Sequence, residues 1–492
     1  MISLSQHGLD ALPPTIARPS YDRSAITPGI VHVGCGNFHR AHQAWYMEQL
    51  FRQGIFTDWG IIGAGVRPKD AEMRVKLAAQ DWLTTLIELS PEGKRAEVIG
   101  SMIGFAPVEE GNGPLIEAIS DPRIRIVSLT VTEGGYFKDQ ATGGFDMEHE
   151  DIRHDAAHPG APRTAFGAMI EALRRRQVSG AGPFTGLSCD NLQGNGDALK
   201  RAVLSLAGLF DPELAGWIEA HCTFPNSMVD CIVPNTGPRE LELVRSFGID
   251  DAAPVTHEPF RMWVIEDKFC AGRPQWERVG ATFTDDVYGF ERAKIRILNG
   301  GGQILGAAGE LLGLTYVAEA MADQCINRYF RRCEERDVLP MVADVPGYSA
   351  RAYLDMVEAR FSNAAMGDTL RRFAHDGSSR MPGFLLPSVQ EGLLLGMPVD
   401  GLALASALWC RYCLGMREDG STIEPNDPLW DRLRPVADDA ALDPAAWLGM
   451  RDIYGDLGRA DRFASSFIHW RRMIGERGVT ASLNAYSNAT VG

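Results

Sequence analysis

One segment of the sequence combines a base, an amide and a run of glycines. Residues 294–303 read KIRILNGGGQ, so that Lys294 precedes Asn299 by five positions. Oxidation of an alcohol requires a group that accepts the hydroxyl proton, and a lysine can do this when burial or a neighbouring positive charge lowers its pKa from about 10.4. The amide of an asparagine can then stabilise the alkoxide that develops.

The spacing of these two residues leaves their convergence open. On an ideal α-helix, five positions place Lys294 and Asn299 on different faces, so they would meet only at a substrate lying over the start of the helix. The alternative is an ordinary surface lysine on an amphipathic helix.

A second segment, VGCGNFHR, is typical of a turn that binds a dinucleotide. Two glycines end a predicted buried strand and precede a predicted helix, whose free N–H groups can receive a pyrophosphate. His39 replaces the third glycine of G-x-G-x-x-G, so an ordinary strand-to-helix turn is the alternative. Arg40 is either a phosphate contact or a solvated helix residue. The candidate cofactor contacts in this turn are Gly34, Gly36, Asn37, Phe38 and Arg40.

The segment GVRPKD follows the next predicted strand and bears on the choice of cofactor. Asp70 can hydrogen-bond the adenosine ribose of NAD, whereas Lys69 can neutralise the 2′-phosphate of NADP. The alternative is a polar surface turn after Pro68.

Two further polar segments follow predicted strands, where ligands of open α/β sheets bind. In TVTEGGY, Thr132 and Glu133 are candidates to face a nicotinamide. In SCDNL, Asp190 and Asn191 end another strand, and an amide there can hold a substrate oxygen. A capped strand end is the alternative for each segment.

Metal chemistry finds little support in the residue pattern. Cys410 and Cys413 form one C-x-x-C inside an apolar helical run, with no second pair nearby. His154 and His158 have helical spacing but no evident third ligand. We therefore predict a site without metal.

The elements around these residues predict two domains. Strand and helix signals alternate through the first half, which indicates a mainly parallel sheet covered on both faces. WLTTLIEL and AEVIGSMIGF are among its predicted strands. From about residue 286 the strand signal fades and helical spacing dominates. The sequence thus predicts an α/β domain over 1–285 and a mostly α-helical domain over 286–492.

Composition excludes several classes of protein. The net charge of −16 disfavours nucleic acid or an anionic membrane as a partner. The N-terminus has neither the basic start nor the apolar core of a signal peptide, and no run of 18 apolar residues occurs. Nine scattered cysteines are typical of reduced thiols, so we expect a cytoplasmic protein.

Taken together, these motifs identify a family resemblance that covers nearly the whole chain. The sequence resembles the long-chain polyol dehydrogenases, the mannitol 2-dehydrogenase family. The segments that carry the resemblance are VGCGNFHRAHQAWY, TVTEGGY, SCDNL, FPNSMVD, EPFRMWVIEDKF, FTDDV, KIRILN, RFSN and DGSSRMP. The resemblance implies a Rossmann-type N-terminal domain, an α-helical C-terminal domain with the site between them, and metal-independent, NAD-dependent interconversion of a polyol and a ketose.

The same resemblance implies roles for single residues. Lys294 matches the general base of the family, and Asn191 and Asn299 match its oxyanion-stabilising pair. Asp230 matches an acid near nicotinamide and substrate, and Asp70 matches the acid that selects NAD. Two basic residues that bind the far end of the polyol are matched by Arg372 and Arg380.

Three positions depart from the family pattern. A histidine usually stands where this chain has Gly302, an arginine where it has Cys231, and Lys69 precedes the ribose acid. A histidine at 302 would lie on the face of Asn299 and touch substrate, whereas Gly300 and Gly301 suit a helix start packed against the cofactor domain.

Two alternatives remain beside an active polyol dehydrogenase, the second of them because of Gly302. One is a hexuronate reductase of the fructuronate or tagaturonate type, and the other is a cofactor-binding homologue with weakened catalysis. The expected partner is a small polyol or ketose, and the expected state is a monomer or small homo-oligomer. Which polyol is used cannot be read from the sequence.

Overall fold

The computed structural model describes residues 1–138 and 144–489, and it divides into two compact units, Met1–Tyr288 and Gly289–Gly492. The strands in the described residues are β1 (Ile2–Ser3), β2 (Pro28–Val33), β3 (Gly60–Ala64), β4 (Thr84–Ser90), β5 (Gly93–Ile99), β6 (Met102–Phe105), β7 (Ile126–Leu129), β8 (Thr185–Ser188), β9 (Ser227–Asp230), β10 (Ile249–Asp250), β11 (Val255–His257), β12 (Met262–Ile265) and β13 (Thr282–Phe283). All of them belong to the first unit.

The α-helices of the first unit are α1 (Asn37–Ala41), α2 (Gln43–Arg52), α3 (Pro68–Ala78), α4 (Gly113–Ser120), α5 (Glu150–Ala157), α6 (Ala165–Ser179), α7 (Asn195–Phe210), α8 (Pro212–His221) and α9 (Pro238–Ser246). Short 3-10 helices cover Gln6–Ala11, Arg23–Ala25, Glu110–Asn112, Glu133–Tyr136 and Trp276–Val279. The helix predicted to follow the glycine turn is interrupted at His42, whose backbone leaves the helical region with φ −118° and ψ −95°.

The centre of the first unit is a five-stranded parallel sheet in the order β6-β3-β2-β7-β8. This is the strand order of a Rossmann-type sheet, and the predicted fold class is confirmed. The chain changes direction across the sheet between β2 and β7, so their carboxyl ends form the crevice where such sheets bind ligands. In this pair His32 lies beside Ser128.

Apolar side chains cover both faces of this sheet. Along β2, Val31 and Val33 join one core cluster, whereas Ile30 joins another. Alternate residues of a strand point to opposite faces, so the two clusters lie on the two sides. This is why the strand is a nearly continuous apolar run in the sequence.

The predicted strand AEVIGSMIGF is two strands in two different sheets. β5 pairs with β4 in an antiparallel hairpin, and β4 also pairs with β11. β6 joins the central sheet beside β3. A single run was predicted because the turn at Gly100 and Ser101 is short and flanked by apolar residues on both sides.

Among the described residues of the second unit, the regular elements are helices joined by loops. Its α-helices are α10 (Val287–Ala293), which begins in the first unit, α11 (Gly300–Leu311), α12 (Val317–Ala322), α13 (Gln324–Cys333), α14 (Ala350–Phe361), α15 (Leu370–Ala374), α16 (Gly377–Arg380), α17 (Leu386–Leu394), α18 (Asp400–Tyr412), α19 (Trp430–Leu442), α20 (Ala445–Leu448), α21 (Arg451–Tyr454), α22 (Asp461–Arg477) and α23 (Val479–Asn488). Turns of π-helix cover Lys294–Asn299, Glu334–Val338 and Met381–Leu385, and 3-10 turns cover Leu339–Met341, Ala364–Met366 and Leu457–Arg459.

Helix α11 lies at the centre of this unit, and every one of its residues is buried. It packs on α15 and α18, and α18 packs in turn on α22. Within the described ranges, no helix has the length and apolar character needed to span a bilayer.

Candidate active site

The glycine turn after β2 has one packed glycine and one open glycine. Gly34 adopts φ +97°, a left-handed conformation that favours glycine, and a Cβ there would overlap the carbonyl oxygen of Thr130. A Cβ on Gly36 would meet no described atom within 4 Å. Gly36 is exposed and precedes α1, so the backbone at this point is accessible to a ligand.

The polar side chains of this turn bind the protein itself. Arg40 is wholly buried and donates to the carbonyl oxygens of Gly36 and Ala253 and to Oδ1 of Asn37. Asn37 donates through Nδ2 to the carbonyl oxygen of Pro234 at 2.8 Å. The interpretation of Arg40 as a solvated residue is therefore wrong, while its contact with a phosphate stays a prediction. Phe38 is half-buried and stacks on a histidine ring.

Asp70 lies in the first turn of α3, directly after the second strand of the sheet. Its Oδ2 accepts the backbone N–H groups of Val66 and Arg67 at 3.1 Å and 3.0 Å, which fixes the carboxylate at the start of the helix. The neighbouring Lys69 is exposed. The acid is therefore held in place by the backbone, whereas the lysine extends into solvent.

The loop after β7 is held in a strained conformation by Asp190. Thr132 has φ +69°, which is uncommon for a residue with a Cβ. The two carboxylate oxygens of Asp190 accept the backbone N–H groups of Thr132 at 2.7 Å and Val131 at 3.1 Å. Tyr136 donates its hydroxyl to the same carboxylate at 2.9 Å. The side chain of Glu133 lies outside the described part of the structure.

Two further candidate residues, Asn191 and Asp230, lie near the carboxyl ends of β8 and β9 in the first unit. Asn191 is exposed after β8, and Asp230 is buried at the end of β9. The amide of Asn195 donates to the carbonyl oxygens of Ser188 at 3.2 Å and Ser227 at 2.8 Å, and so ties the two strands together. Sequence reasoning missed Asn195, because one asparagine at a helix start carries no distinctive signal.

The segment KIRILN is a π-helix, not the α-helix assumed from its spacing. The N–H group of Gly300 donates to the carbonyl oxygen of Ile295, five residues back, instead of four. Such a bond brings residues five positions apart onto successive turns at one side of the helix. The expectation that Lys294 and Asn299 occupy different faces is therefore wrong.

The two π-helical residues differ in their surroundings. Lys294 is buried, with 8% of its surface exposed. Asn299 is half-buried, and among the described residues its Oδ1 finds no hydrogen-bond partner. A buried acceptor without a partner is costly, so this oxygen is suited to receive a donor from a ligand.

The glycines after Asn299 allow close packing between helices of the second unit. A Cβ on Gly300 would lie 3.2 Å from the carbonyl oxygen of Phe384, and one on Gly301 would lie 3.0 Å from the ring of Phe330. These neighbours are in the second unit, so the glycines allow close packing within that unit. Their packing against the cofactor domain stays a prediction.

Gly302 faces α15. A Cβ there would lie 3.4 Å from Cδ2 of Phe373, an ordinary contact distance. Next to Phe373, Arg372 forms an ion pair with Asp368. Arg380 donates to the carbonyl oxygen of Arg372 at 2.8 Å. The structure therefore brings Gly302 and the two candidate arginines to one side of α11.

The residue pairs considered for metal lack a third ligand in the described ranges, where no cluster of three such side chains occurs. His154 and His158 stack on each other, with ring centroids 4.6 Å apart. Cys410 is buried in α18 and Cys413 directly after it, and burial raises the pKa of the Cys410 thiol to about 12. The surroundings of both pairs therefore suit side chains that pack within the fold.

The chemistry open to each unit follows from these contacts. The first unit offers an open glycine backbone, a fixed acid and a strained loop at the switch point of a Rossmann-type sheet, which suits a dinucleotide. The second unit offers a buried lysine and an amide on one side of a helix, which suits transfer of a hydroxyl proton and stabilisation of the resulting oxygen charge.

Two family models match the sequence. Residues 28–278 match the mannitol dehydrogenase Rossmann domain, and residues 286–473 match the mannitol dehydrogenase C-terminal domain. A mannitol 2-dehydrogenase of Cereibacter sphaeroides is 53% identical over 96% of this chain and 99% of its own length. One from Pyricularia oryzae is 38% identical, over 96% of each chain.

Two solved structures resemble the whole chain. The ternary complex of Pseudomonas fluorescens mannitol 2-dehydrogenase with NAD and D-mannitol has a TM-score of 0.89 and 39% identity, covering 99% of this chain and 100% of the other. A substrate-free D-sorbitol dehydrogenase has a TM-score of 0.89 and 35% identity, covering 98% and 100%.

Proposed function

The chain belongs to the mannitol dehydrogenase family, and from this membership we propose that it is an NAD-dependent polyol dehydrogenase. It interconverts a sugar alcohol of the mannitol, sorbitol or arabinitol type with the corresponding ketose. The observation that carries the proposal is the π-helix Lys294–Asn299, because it puts a buried base and an amide on one side of a helix. The first unit is proposed as the cofactor domain and the second as the substrate and catalytic domain.

The residues of the glycine turn fit NAD. Gly36 leaves room where a pyrophosphate would approach, and Asp70 presents a fixed carboxylate after the second strand. NAD supplies the acceptor for the hydride of the alcohol carbon. The residues proposed to hold it are Gly34, Gly36, Asn37, Phe38, Arg40, Lys69, Asp70, Thr132 and Glu133.

The proposed mechanism has two parts: one residue accepts the hydroxyl proton, and two amides stabilise the charge that develops on the oxygen. Nζ of Lys294 accepts the proton of the substrate hydroxyl, and the amide groups of Asn191 and Asn299 donate to the oxygen as its charge develops. Burial of Lys294 excludes water that would compete for the proton. Asp230, Arg372, Arg380 and the space at Gly302 are proposed to contact the rest of the substrate.

A specific observation favours a second candidate, a cofactor-binding homologue with weakened catalysis. Gly302 supplies no side chain on the side where the family has a histidine, and a Cβ there would make only an ordinary contact with Phe373, at 3.4 Å. A hexuronate reductase is the other alternative, since Arg372 and Arg380 could bind a carboxylate.

A panel assay separates these functions. The absorbance of NADH is followed with mannitol, sorbitol, arabinitol, their ketoses and two hexuronates. We expect turnover of at least one polyol, with a higher kcat/KM for NAD than for NADP because Asp70 repels a 2′-phosphate. Turnover of hexuronates alone would support the reductase, and NADH binding without any turnover would support the weakened homologue. A clear preference for NADP would show that Lys69 outweighs Asp70.

A further inference from the structure

A chain of polar side chains lies beneath the glycine turn and is unused by the proposed mechanism; all are buried except Thr130, which is half-buried. It consists of His39, Gln43, Ser128, His32 and Thr130, and we call it the turn relay. His32 and Ser128 are neighbours in the register of β2 and β7. The imidazole of His32 also stacks on that of His39, with ring centroids 3.5 Å apart. Polar residues inside an otherwise apolar sheet core need hydrogen-bond partners, so the pattern of those partners shows which atoms donate and which accept.

From Gln43 to the carbonyl oxygen of Gly34, the contacts of the turn relay are short and continuous. The hydroxyl of Thr130 lies 2.5 Å from the carbonyl oxygen of Gly34 and 2.8 Å from Nε2 of His32. Nδ1 of His32 lies 2.8 Å from Oγ of Ser128, which lies 2.8 Å from the amide of Gln43. The carbonyl oxygen of Gly34 also accepts the N–H group of Gly36 at 2.8 Å.

The position of every proton follows from the Gly34 carbonyl, which can only accept. Thr130 must give it the single hydroxyl hydrogen, so Nε2 of His32 must carry a hydrogen and donate to Thr130. Burial lowers the pKa of His32 to about 3, so its ring is neutral and Nδ1 is an acceptor. Ser128 must therefore donate to Nδ1.

The count of donors and acceptors then fixes the orientation of the Gln43 side-chain amide. Because Ser128 has spent its hydrogen on His32, the amide atom 2.8 Å away must be a donor, which is Nε2. The structure places Oε1 there, and it leaves Nε2 of Gln43 and both ring nitrogens of His39 without partners among the described residues. A 180° turn of the amide directs Oε1 toward the ring of His39. Burial lowers the pKa of His39 well below its usual value, and a hydrogen bond with Gln43 opposes that shift, so the ring is neutral with one N–H to donate. One rotation therefore gives Nε2 of Gln43 an acceptor in Ser128 and gives one ring nitrogen of His39 an acceptor in Oε1.

If every hydrogen bond ran in the opposite direction, the hydroxyl of Thr130 would have no hydrogen left for the carbonyl oxygen of Gly34. With Oε1 of Gln43 beside Ser128, Ser128 would donate to Gln43 and Nδ1–H of His32 would donate to Ser128. Nε2 would then require the hydroxyl hydrogen of Thr130. The oxygens of Thr130 and Gly34, 2.5 Å apart, would face each other without a hydrogen between them.

We propose that the turn relay, running from His39 through Gln43, Ser128, His32 and Thr130 to the Gly34 carbonyl, holds the glycine turn in the geometry that receives the NAD pyrophosphate. Its members are positioning residues: they act on the cofactor through Gly34 and Gly36. The inference rests on the proposed function only for the identity of the ligand.

The first test reads the protons directly and needs no cofactor. Two-bond ¹⁵N–¹H correlation spectra of ¹⁵N-histidine-labelled protein report which ring nitrogen of each histidine carries hydrogen, and His32→Gln assigns the signal. We expect His32 to be neutral with hydrogen on Nε2. Hydrogen on Nδ1, or on both nitrogens at neutral pH, would overturn the direction of the relay.

The second test measures the effect on the cofactor. Thr130→Val removes the hydroxyl at constant shape, and Thr130→Ser keeps it. The loss of one hydrogen bond weakens binding by about three- to tenfold. We therefore expect the Kd for NADH, measured by fluorescence titration, to rise by this factor in Thr130→Val and to stay within about twofold of wild type in Thr130→Ser. The KM for NAD should rise in Thr130→Val while kcat at saturation is retained.

A matched control is Thr256→Val in β11. The hydroxyl of Thr256 is buried and has no partner among the described residues, so its removal should leave the Kd unchanged. Wild-type affinity in Thr130→Val would overturn the proposal. If the wild-type protein bound no NADH, the cofactor assignment would fail, while the histidine spectra would still decide whether the relay exists.

Discussion

At the scale of single residues, the environment of Lys294 is what turns a common side chain into a candidate base. The residue is buried and shares one side of a π-helix with Asn299, whose Oδ1 lacks a partner among the described residues. Burial and the shared side of the helix answer two requirements of alcohol oxidation: a proton acceptor shielded from water, and an amide on the same side whose Nδ2 can donate to the substrate oxygen.

Replacement of Lys294 should remove the chemistry and spare the cofactor. Lys294→Ala loses general-base catalysis, so we expect polyol oxidation to fall by about 10²- to 10⁴-fold while the Kd for NADH stays close to wild type. Steady-state kinetics and a fluorescence titration measure the two effects. Lys94→Ala, on the exposed part of β5, is the matched control. An unchanged rate in Lys294→Ala would refute the mechanism.

Gly302 provides a gain-of-function test at the same scale. The first atom of a side chain fits there, 3.4 Å from Phe373, so Gly302→His adds a hydrogen-bonding group on the side of Asn299. If the position is a lost substrate contact, kcat/KM for a polyol rises, because a contact to the reacting oxygen strengthens in the transition state. We expect this rise on mannitol, sorbitol or arabinitol. A fall on all three would indicate that the gap admits a different substrate.

At the scale of elements, glycines decide how closely helix α11 packs. Gly302 and Gly306 both face α15, but at different depths. A Cβ on Gly306 would lie 2.8 Å from the backbone nitrogen of Ala374, which cannot move aside as a side chain can. The closeness of the two helices therefore depends on the missing Cβ at 306 and not on the one at 302.

This difference predicts opposite effects of the same substitution. Gly306→Ala should lower the free energy of unfolding by about 1–3 kcal/mol through overpacking. Gly302→Ala should leave it unchanged or raise it by up to about 1 kcal/mol through helix propensity. Urea unfolding followed by circular dichroism measures both. Equal stability of the two variants would contradict the packing described for α15.

At the scale of the whole molecule, buried ionisable groups link stability to pH. Glu334 is wholly buried, and burial together with the nearby Asp337 raises its pKa well above 4.5. The folded protein then keeps a proton that the unfolded chain releases above about pH 4.5. Because the folded state binds more protons, this group lowers stability as the pH rises from about 4.5 through its folded pKa.

An isosteric amide tests this linkage. Glu334→Gln does not titrate, so its urea midpoint should fall less than that of wild type between pH 5 and pH 8. Exposed Glu476, in α22, supplies the matched control Glu476→Gln, which should follow the wild-type curve. Parallel curves for wild type and Glu334→Gln would show that Glu334 is ionised in the folded protein.

The sequence by itself determined the alternation of strands and helices, the glycine turn and the family motifs. These features are local: strand and helix periods, and the conformational freedom of Gly34, are written into short segments. It also identified Lys294 and Asn299 as candidates, from residue type alone.

Only the tertiary structure decided how those residues are arranged. The one extra residue in the turn after Lys294 is visible only in the backbone hydrogen bonds of the folded chain, and the local sequence pattern predicted an ordinary α-helix there. The partners of Gly300 and Gly301, the burial of Arg40 and the contact between Thr130 and Gly34 all join segments far apart in the chain. Such contacts depend on which elements meet, and a single sequence does not record that choice.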